Sequence, residues 1–209
     1  MPVRGGKGGA NTRSGLHFEK KTKLREALKG CGFQLEGDLV LLSGKPVGQI
    51  CSGEKLFYKL VDDRSGYAPG TARKLLSKLL RPDEAFLNLE NNTVYVVEKK
   101  FQERAGSVDE KPQTVRFKQR QYQKLVGDSG LSIDYFFLFN CWWSQPVYRD
   151  MLEFVVDEGS SYFFNDIPLA ALGLGDSKMQ HDPDFCSEHS KPIAQCAANW
   201  ARKKKPTRG

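Results

Sequence analysis

The sequence predicts an α/β protein built on a mixed β-sheet, and three observations support this fold class. Segments with apolar residues at helical spacing alternate along the chain with runs rich in β-branched and aromatic residues. The run 135–139, YFFLF, has no polar interruption, as expected of a central strand that is buried on both faces. The chain has 209 residues, of which 39% are hydrophobic, and this is enough for one sizeable core.

The N-terminal part of the chain is predicted to contain an arm, a helix and a meander. Residues 1–15 include five glycines and no apolar periodicity, which is typical of a flexible arm. Residues 16–29 place Leu24 and Leu28 on one helical stripe, and Gly30 ends the predicted helix. The alternating pattern that follows predicts four short strands of a β-meander, over 33–35, 39–42, 47–50 and 55–61.

A β-hairpin at residues 81–102 is the element on which the candidate site is built. It has a polar turn between two apolar arms, 85–89 and 93–97. Facing residue numbers in an antiparallel hairpin have a constant sum, so Asp83 faces Glu98 if the sum is 181 and Lys100 if it is 183. The sequence leaves both registers open.

The remaining elements flank this hairpin. A helix from Thr71 to about Leu80 has Thr71 as its N-cap and leucines on its inward face. Residues 103–114 are polar and lack periodicity, which predicts a loop beside the end of the hairpin. The last predicted elements are a basic helix over 115–126, a buried strand over 132–140, a helix over 148–156, a strand over 162–164 and a short apolar helix or turn over 167–174.

In either register Asp83, Glu98 and Lys100 converge on one face at one end of the hairpin, because side chains in a strand alternate between faces. Opposed Cβ atoms lie about 4.5–5.5 Å apart, and two carboxylates so close repel each other unless a cation lies between them. Hard divalent ions such as Mg²⁺ prefer oxygen ligands of this kind. A neighbouring lysine can orient an attacking water or help to deprotonate it. An exposed hairpin with solvated charges at its base is the alternative interpretation.

Pro82-Asp83 precedes the short hairpin, and Glu98-x-Lys100 follows it. In order and spacing, these residues resemble the signature of the PD-(D/E)XK nuclease superfamily. The resemblance implies a restriction-endonuclease-like fold over residues 16–175, with a three-layer α/β/α core and a mixed central sheet. It implies that Asp83 and Glu98 hold one or two Mg²⁺, for which Mn²⁺ substitutes, and that Lys100 lies beside the attacking water. The sequence departs from the family at Lys99, where an apolar residue is more common, and this favours a strand edge that faces solvent or DNA.

Glu19 is a further candidate for catalysis and metal binding, because an early helix in the resembled superfamily often contributes a carboxylate to the site. An acid near a helix N-terminus is also favourable without any catalytic role, through the helix dipole. The resemblance further places DNA along the loop and the basic helix after the hairpin. The candidate DNA contacts are Lys99, Gln102, Lys111, Gln113, Arg116, Lys118 and Arg120.

The activity that this resemblance implies is Mg²⁺-dependent hydrolysis of phosphodiester bonds in double-stranded DNA. By analogy of size, the expected enzyme is a type II restriction endonuclease that acts as a homodimer. A structure-specific repair or Holliday-junction nuclease is the second possibility within the same superfamily. A DNA-binding protein with an inactive nuclease fold is the third, and the intact Asp83, Glu98 and Lys100 argue against it.

The net charge of +7 is concentrated at the two ends of the chain. Residues 1–15 carry three basic side chains and no acidic one, and residues 201–209 carry five and none. Such arms suit contact with phosphates, but they can also serve solubility alone. The five cysteines are few and scattered, which favours a reducing compartment, and we expect a cytoplasmic protein. No apolar run approaches the roughly 18 residues that span a bilayer, so no membrane association is expected.

Residues 176–209 form a polar and basic C-terminal extension that contains His181, Cys186, His189 and Cys196. These are the ligand types of a tetrahedral zinc site, although the tightly paired cysteine spacing of such sites is missing. A structural Zn²⁺ and a simple polar extension therefore both remain open.

Overall fold

The computed structural model describes residues 23–165, 167 and 169–174. Seven strands form a single mixed sheet. The strands are β1 (Gln34–Glu36), β2 (Leu39–Leu42), β3 (Lys45–Ile50), β4 (Glu84–Asn88), β5 (Thr93–Lys100), β6 (Ser132–Phe139) and β7 (Ser161–Phe164). The α-helices of the described part are α1 (Leu24–Gly30), α2 (Gly53–Ser65), α3 (Val115–Val126) and α4 (Arg149–Asp157).

The strands lie in the sheet in the order in which they occur in the chain. Strands β1 to β5 pair antiparallel, and β5, β6 and β7 pair parallel. Helix α3 connects β5 to β6, and α4 connects β6 to β7, as parallel pairing requires. Strand β5 therefore has the antiparallel hairpin on one side and the parallel strands on the other, which makes it an interior strand of the sheet.

Helices cover both faces of this sheet, as the predicted α/β fold class requires. On one face, α2, α3 and α4 pack on Leu87, Val96 and Phe137 and enclose the larger core. On the other face, α1 and the 3₁₀ turn Leu169–Leu172 pack on Phe86, Val97 and Phe136. Alternate residues of β4, β5 and β6 thus enter two different cores, which accounts for the unbroken apolar run in β6.

The hairpin is confirmed, and its register is the first of the two alternatives. Asn88 pairs with Thr93 and Glu84 pairs with Val97, so facing residue numbers sum to 181. The next pair beyond the ladder sets Asp83 opposite Glu98. The helix over 115–126 is also confirmed, and the structure has the predicted strands near 132–140 and 162–164 and the predicted helix near 148–156.

The predicted fourth strand of the meander, over 55–61, is wrong, because this segment belongs to helix α2. Phe57, Leu60 and Val61 are buried on one stripe at helical spacing, whereas an alternating pattern would put Leu60 on the opposite face from the other two. The C-cap of the helix is Gly66, which has a left-handed backbone with φ of 66°.

The predicted helix from Thr71 to Leu80 is also wrong, since only the 3₁₀ turn Ala72–Lys74 forms there. In this region, side chains of helix α2 accept hydrogen bonds from backbone N–H groups. The Asp62 carboxylate accepts hydrogen bonds from the N–H groups of Gly70 and Ala72, each at 2.7 Å. The N–H group of Leu80 donates to the Tyr58 hydroxyl at 3.0 Å.

The first predicted helix, over 16–29, is described only from residue 23 onward, and residues 16–22 lie outside the described residues. Lys23 is extended, with φ of −62° and ψ of 124°, and the described helix begins at Leu24. The predicted arm over 1–15 and the extension over 176–209 lie outside the described residues.

Cys141 is disulfide-bonded, which does not agree with the expectation that the cysteines are reduced thiols. Among the helices that the structure describes, none has the length and apolar character needed to cross a membrane.

Candidate active site at the end of strands β4 and β5

The candidate site lies where β4 begins and β5 ends. Asp83 directly precedes β4, and the register sets it opposite Glu98, with Lys100 two residues further along β5 on the same face. The Asp83 side chain is exposed, and its Oδ2 accepts a hydrogen bond from the Lys99 N–H at 2.8 Å. The structure therefore brings together three of the four predicted catalytic residues; the fourth, Glu19, lies outside the described residues.

Glu98 is the most constrained member of this group, with a relative exposure of 9%. The Lys100 Nζ lies 2.6 Å from Oε1, and the Lys118 Nζ of α3 lies 3.2 Å from each carboxylate oxygen. The Tyr135 hydroxyl donates to Oε2 at 3.4 Å. We call Asp83, Glu98, Lys100 and Lys118 the α3-side cluster.

The charge state of Glu98 follows from two opposing effects. Burial raises its pKa, but the positive charges and hydrogen bonds of Lys100 and Lys118 outweigh burial, and the pKa lies below its ordinary value. Burial and the nearby Glu98 charge raise the pKa values of Tyr122 and Tyr135. Glu98 is therefore ionised at neutral pH, and Tyr135 is a protonated hydrogen-bond donor to it.

A second ion pair lies on the opposite face of the same two strands. The Lys99 Nζ lies 2.8 Å from Oε1 of Glu84, and only 3% of the Lys99 side chain is exposed. Oε2 of Glu84 accepts a hydrogen bond from the Ser52 hydroxyl at 2.7 Å. We call Glu84 and Lys99 the α1-side pair. The expectation that Lys99 faces solvent or DNA is wrong, because alternation turns it toward a face that α1 covers.

The other predicted DNA contacts occupy different environments. Lys118 points inward to Glu98, whereas Lys111, Gln113 and Arg120 are exposed before or on α3. Arg116 is exposed and forms an ion pair with Glu158. Gln102 is half-buried and forms two backbone hydrogen bonds with the Asn140 side chain, of 3.1 and 2.8 Å.

A cleft of about 1000 Å³ opens between residues 77–81 and α3, and we call it the α3 cleft. Lys118 and Tyr122 form part of its wall, so it adjoins the α3-side cluster. Its other cations are Lys78 and Arg81, and among the described residues that line it none is acidic. Arg81 and Arg73 both bind Glu54, which leaves an excess of one positive charge at this edge of the cleft.

The strand register sets Asp83 opposite Glu98 in the α3-side cluster, and Glu98 is ionised, so these oxygen donors suit a hard divalent cation. Within residues 23–165, 167 and 169–174, no group of three or more His, Cys, Asp or Glu side chains forms a candidate metal site. A third His, Cys, Asp or Glu ligand would therefore have to come from outside the described residues, as predicted for Glu19. His181, Cys186, His189 and Cys196, the predicted zinc ligands, lie outside the described residues.

Sequence reasoning missed several residues that shape the site. Tyr135 was interpreted only as part of a buried strand, although its position in β6 places it two residues before Phe137, the partner of Glu98. No local sequence pattern indicated Glu84 and Ser52, because the hydrogen bond between them joins residues 32 positions apart in the chain. Comparison of the chain with family models, curated proteins and solved structures finds no match in any of the three.

Proposed function

We propose that the protein is a metal-dependent DNA endonuclease in which Asp83, Glu98 and Lys100 are the catalytic residues. The observation that carries this proposal is the arrangement of the α3-side cluster. The register sets Asp83 opposite Glu98 at the end of the hairpin, and the amine of Lys100 lies 2.6 Å from a Glu98 carboxylate oxygen. The group adjoins a cleft whose described lining includes cations and no acidic side chain.

In this proposal Asp83 and Glu98 would hold Mg²⁺, for which Mn²⁺ would substitute, and the ion would supply Lewis-acid activation of the phosphoryl group and of water. The chain's own residues prepare the site for that ion. Lys100 and Lys118 keep Glu98 ionised despite its burial. Lys100 also presents a positive charge and N–H donors where negative charge develops on the phosphate oxygens, which stabilises the transition state.

The charge distribution supports DNA as the substrate. Lys78, Arg81 and Lys118 line the α3 cleft, and Arg120 and Lys111 are exposed nearby in the chain. The terminal segments 1–15 and 201–209 add three and five basic side chains. Phosphate contacts from such groups are independent of sequence and weaken steeply with salt.

The finer form of the proposal is a type II restriction endonuclease that cuts double-stranded DNA as a homodimer, and this form rests on the motif resemblance. A structure-specific nuclease is the second candidate, and one observation favours it. Phe117, at the wall of the α3 cleft, is 64% exposed, which suits contact with an unstacked base better than contact with a paired duplex.

The test is digestion of phage and plasmid DNA in Mg²⁺ by the wild-type chain, by Asp83→Asn and by Glu90→Gln. Asp83→Asn keeps an oxygen that can accept the Lys99 N–H, so we expect it to fold and to lose cleavage by about 100-fold or more. Glu90 is an exposed residue in the turn of the same hairpin, and its change should leave the rate unaltered.

Discrete fragments, together with a dimeric mass in solution, would support the restriction form of the proposal. Cutting confined to branched or frayed DNA would support the structure-specific form. Equal cleavage by wild type and Asp83→Asn, or no cleavage by wild type with any divalent metal, would overturn the proposal.

A further inference from the structure

One wall of the α3 cleft is formed by residues 77–81, and the other is a single stripe along helix α3 and the residue before it. Thr114, just before the helix, and Phe117, Lys118, Gln121 and Tyr122 within it line the cleft. Their spacing of three, four, seven and eight residues places them on one side of a helix, where a packed neighbour would normally cover them. The C-terminal end of the stripe is buried at Tyr122, whereas its N-terminal end opens at Phe117.

Phe117 is an exposed aromatic ring next to the proposed catalytic centre. Its relative exposure is 64%, and the following residue, Lys118, reaches both oxygens of Glu98. Phe117 and Lys118 both line the α3 cleft, so a chain bound there can contact the ring and the Lys118 amine together.

The charge of the cleft decides which kind of occupant fits it. Lys78, Arg81 and Lys118 line it, and an acidic side chain is absent from its described lining, so an anionic chain is favoured. Two terminal segments of this chain are unfavourable occupants, because residues 1–15 and 201–209 carry only basic charged side chains. A second copy would bring another set of these cations to the same cleft.

We propose that the α3 cleft binds a single-stranded segment of DNA, with an unpaired base stacked on Phe117 and phosphates held by Lys78, Arg81 and Lys118. Within a duplex each base face is covered by the neighbouring base pair, so only an unpaired base offers its face to an aromatic side chain. This inference rests on the proposed function, since it names the form of DNA that reaches the same site, and it favours the structure-specific form of that function over the restriction form.

The test measures binding rather than cleavage, on the full chain in the absence of divalent metal. The probes are a fluorescein-labelled single strand of about 12 nucleotides and the duplex of the same sequence, followed by fluorescence anisotropy at low salt. We expect the wild type to bind the single strand more tightly than the duplex. Phe117→Leu should weaken single-strand binding by about tenfold, and Phe117→Trp should retain it.

Phe117→Leu is the informative variant, because leucine keeps an apolar side chain of similar reach but removes the aromatic face. Val147→Ala is the matched control, since Val147 is 77% exposed and does not line the cleft. Single-strand affinity unchanged in Phe117→Leu would overturn the inference. So would an equal loss for both probes, or a wild-type dimer that Phe117→Leu dissociates, because a second copy would then cover the stripe.

The outcomes also separate this inference from the proposed function. A wild type that binds the single strand through Phe117 but cuts no DNA in Mg²⁺ contradicts the proposed function and supports the inference. A wild type that cuts DNA, while Phe117→Leu binds the single strand as tightly as wild type, contradicts the inference alone.

Discussion

Lys99 and Lys100 are neighbours on one strand, and each pairs with a glutamate, yet the two ion pairs have opposite characters. The α1-side pair is enclosed: Glu84 binds Lys99 through one oxygen and Ser52 through the other. In the α3-side cluster, two lysines share the single carboxylate of Glu98 beside an open cleft. The first is an isolated pair of one acid and one base, whereas Glu98 is shared by two lysines and lies next to Asp83 and the open α3 cleft.

This difference shows how one strand end can combine support and chemistry. Lys99 binds Glu84 through its side chain, donates its backbone N–H to Asp83, and accepts a hydrogen bond from Lys100 through its carbonyl. Residues on the closed face thus hold the backbone from which the open face projects. We expect changes on the α1 side to act mainly on stability and changes on the α3 side to act mainly on activity.

The largest effect on stability is expected for Lys99→Met. The change leaves the Glu84 carboxylate buried without its cation, and breaking a buried pair in this way costs about 3–5 kcal/mol. Chemical denaturation monitored by circular dichroism measures the loss in unfolding free energy. A loss below about 1 kcal/mol would show that the α1-side pair does not support the strand ends.

The matched control is the double variant Glu84→Leu/Lys99→Met, which removes both charges together. Replacing a buried pair by apolar residues of similar volume is often close to neutral, so most of the lost stability should return. If the double variant is as unstable as Lys99→Met, packing rather than the buried charge accounts for the loss.

A smaller and pH-dependent effect is expected for Glu98→Gln. Because the pKa of Glu98 lies below its ordinary value of 4.5, the carboxylate stabilises the fold fully above that pH, and the benefit is lost as the pH falls through the lowered pKa. At pH 7 the variant should lose about 1.5–3 kcal/mol, the range for hydrogen bonds to charged groups. Denaturation at pH 7, 5, 4 and 3 should show the difference from wild type shrinking below pH 4.5.

Lys118→Met serves as the control for this pH dependence. It removes one of the two cations that lower the pKa of Glu98, so the decline with acid should begin at a higher pH than in wild type. A difference between Glu98→Gln and wild type that does not change with pH would contradict the assigned charge state.

The hairpin and its face alternation could be predicted because strand periodicity is local and has a period of 2. That rule placed Asp83, Glu98 and Lys100 together before any contact was known. Helix α2 was not predicted, because the short apolar runs at 56–58 and 60–61, in a region broken by glycines, suit a strand as well as a helix. The decision between the two lies in the core that the segment packs against.

The errors at residues 71–80 and at Lys99 have a shared cause. Asp62 binds the N–H groups of Gly70 and Ala72, and Glu84 binds the Lys99 amine. Each of these contacts joins residues that are 8 to 15 positions apart, so propensity and spacing carry no trace of it. Face alternation indicated that Asp83, Glu98 and Lys100 share a face and that Lys99 points away from it, but not that Lys99 is buried.

The most direct measurement of the central claim is the single-turnover rate of DNA cleavage in Mg²⁺ by Lys100→Met and by Glu84→Leu/Lys99→Met. We predict that Lys100→Met lowers the rate by about 10²–10³-fold, as expected when a donor that stabilises negative charge in the transition state is removed. The double variant on the closed face should remain within about tenfold of wild type, because its changes replace a buried pair rather than a catalytic group. A wild-type rate in Lys100→Met, or an equal loss in both variants, would contradict the division between a supporting and a catalytic face.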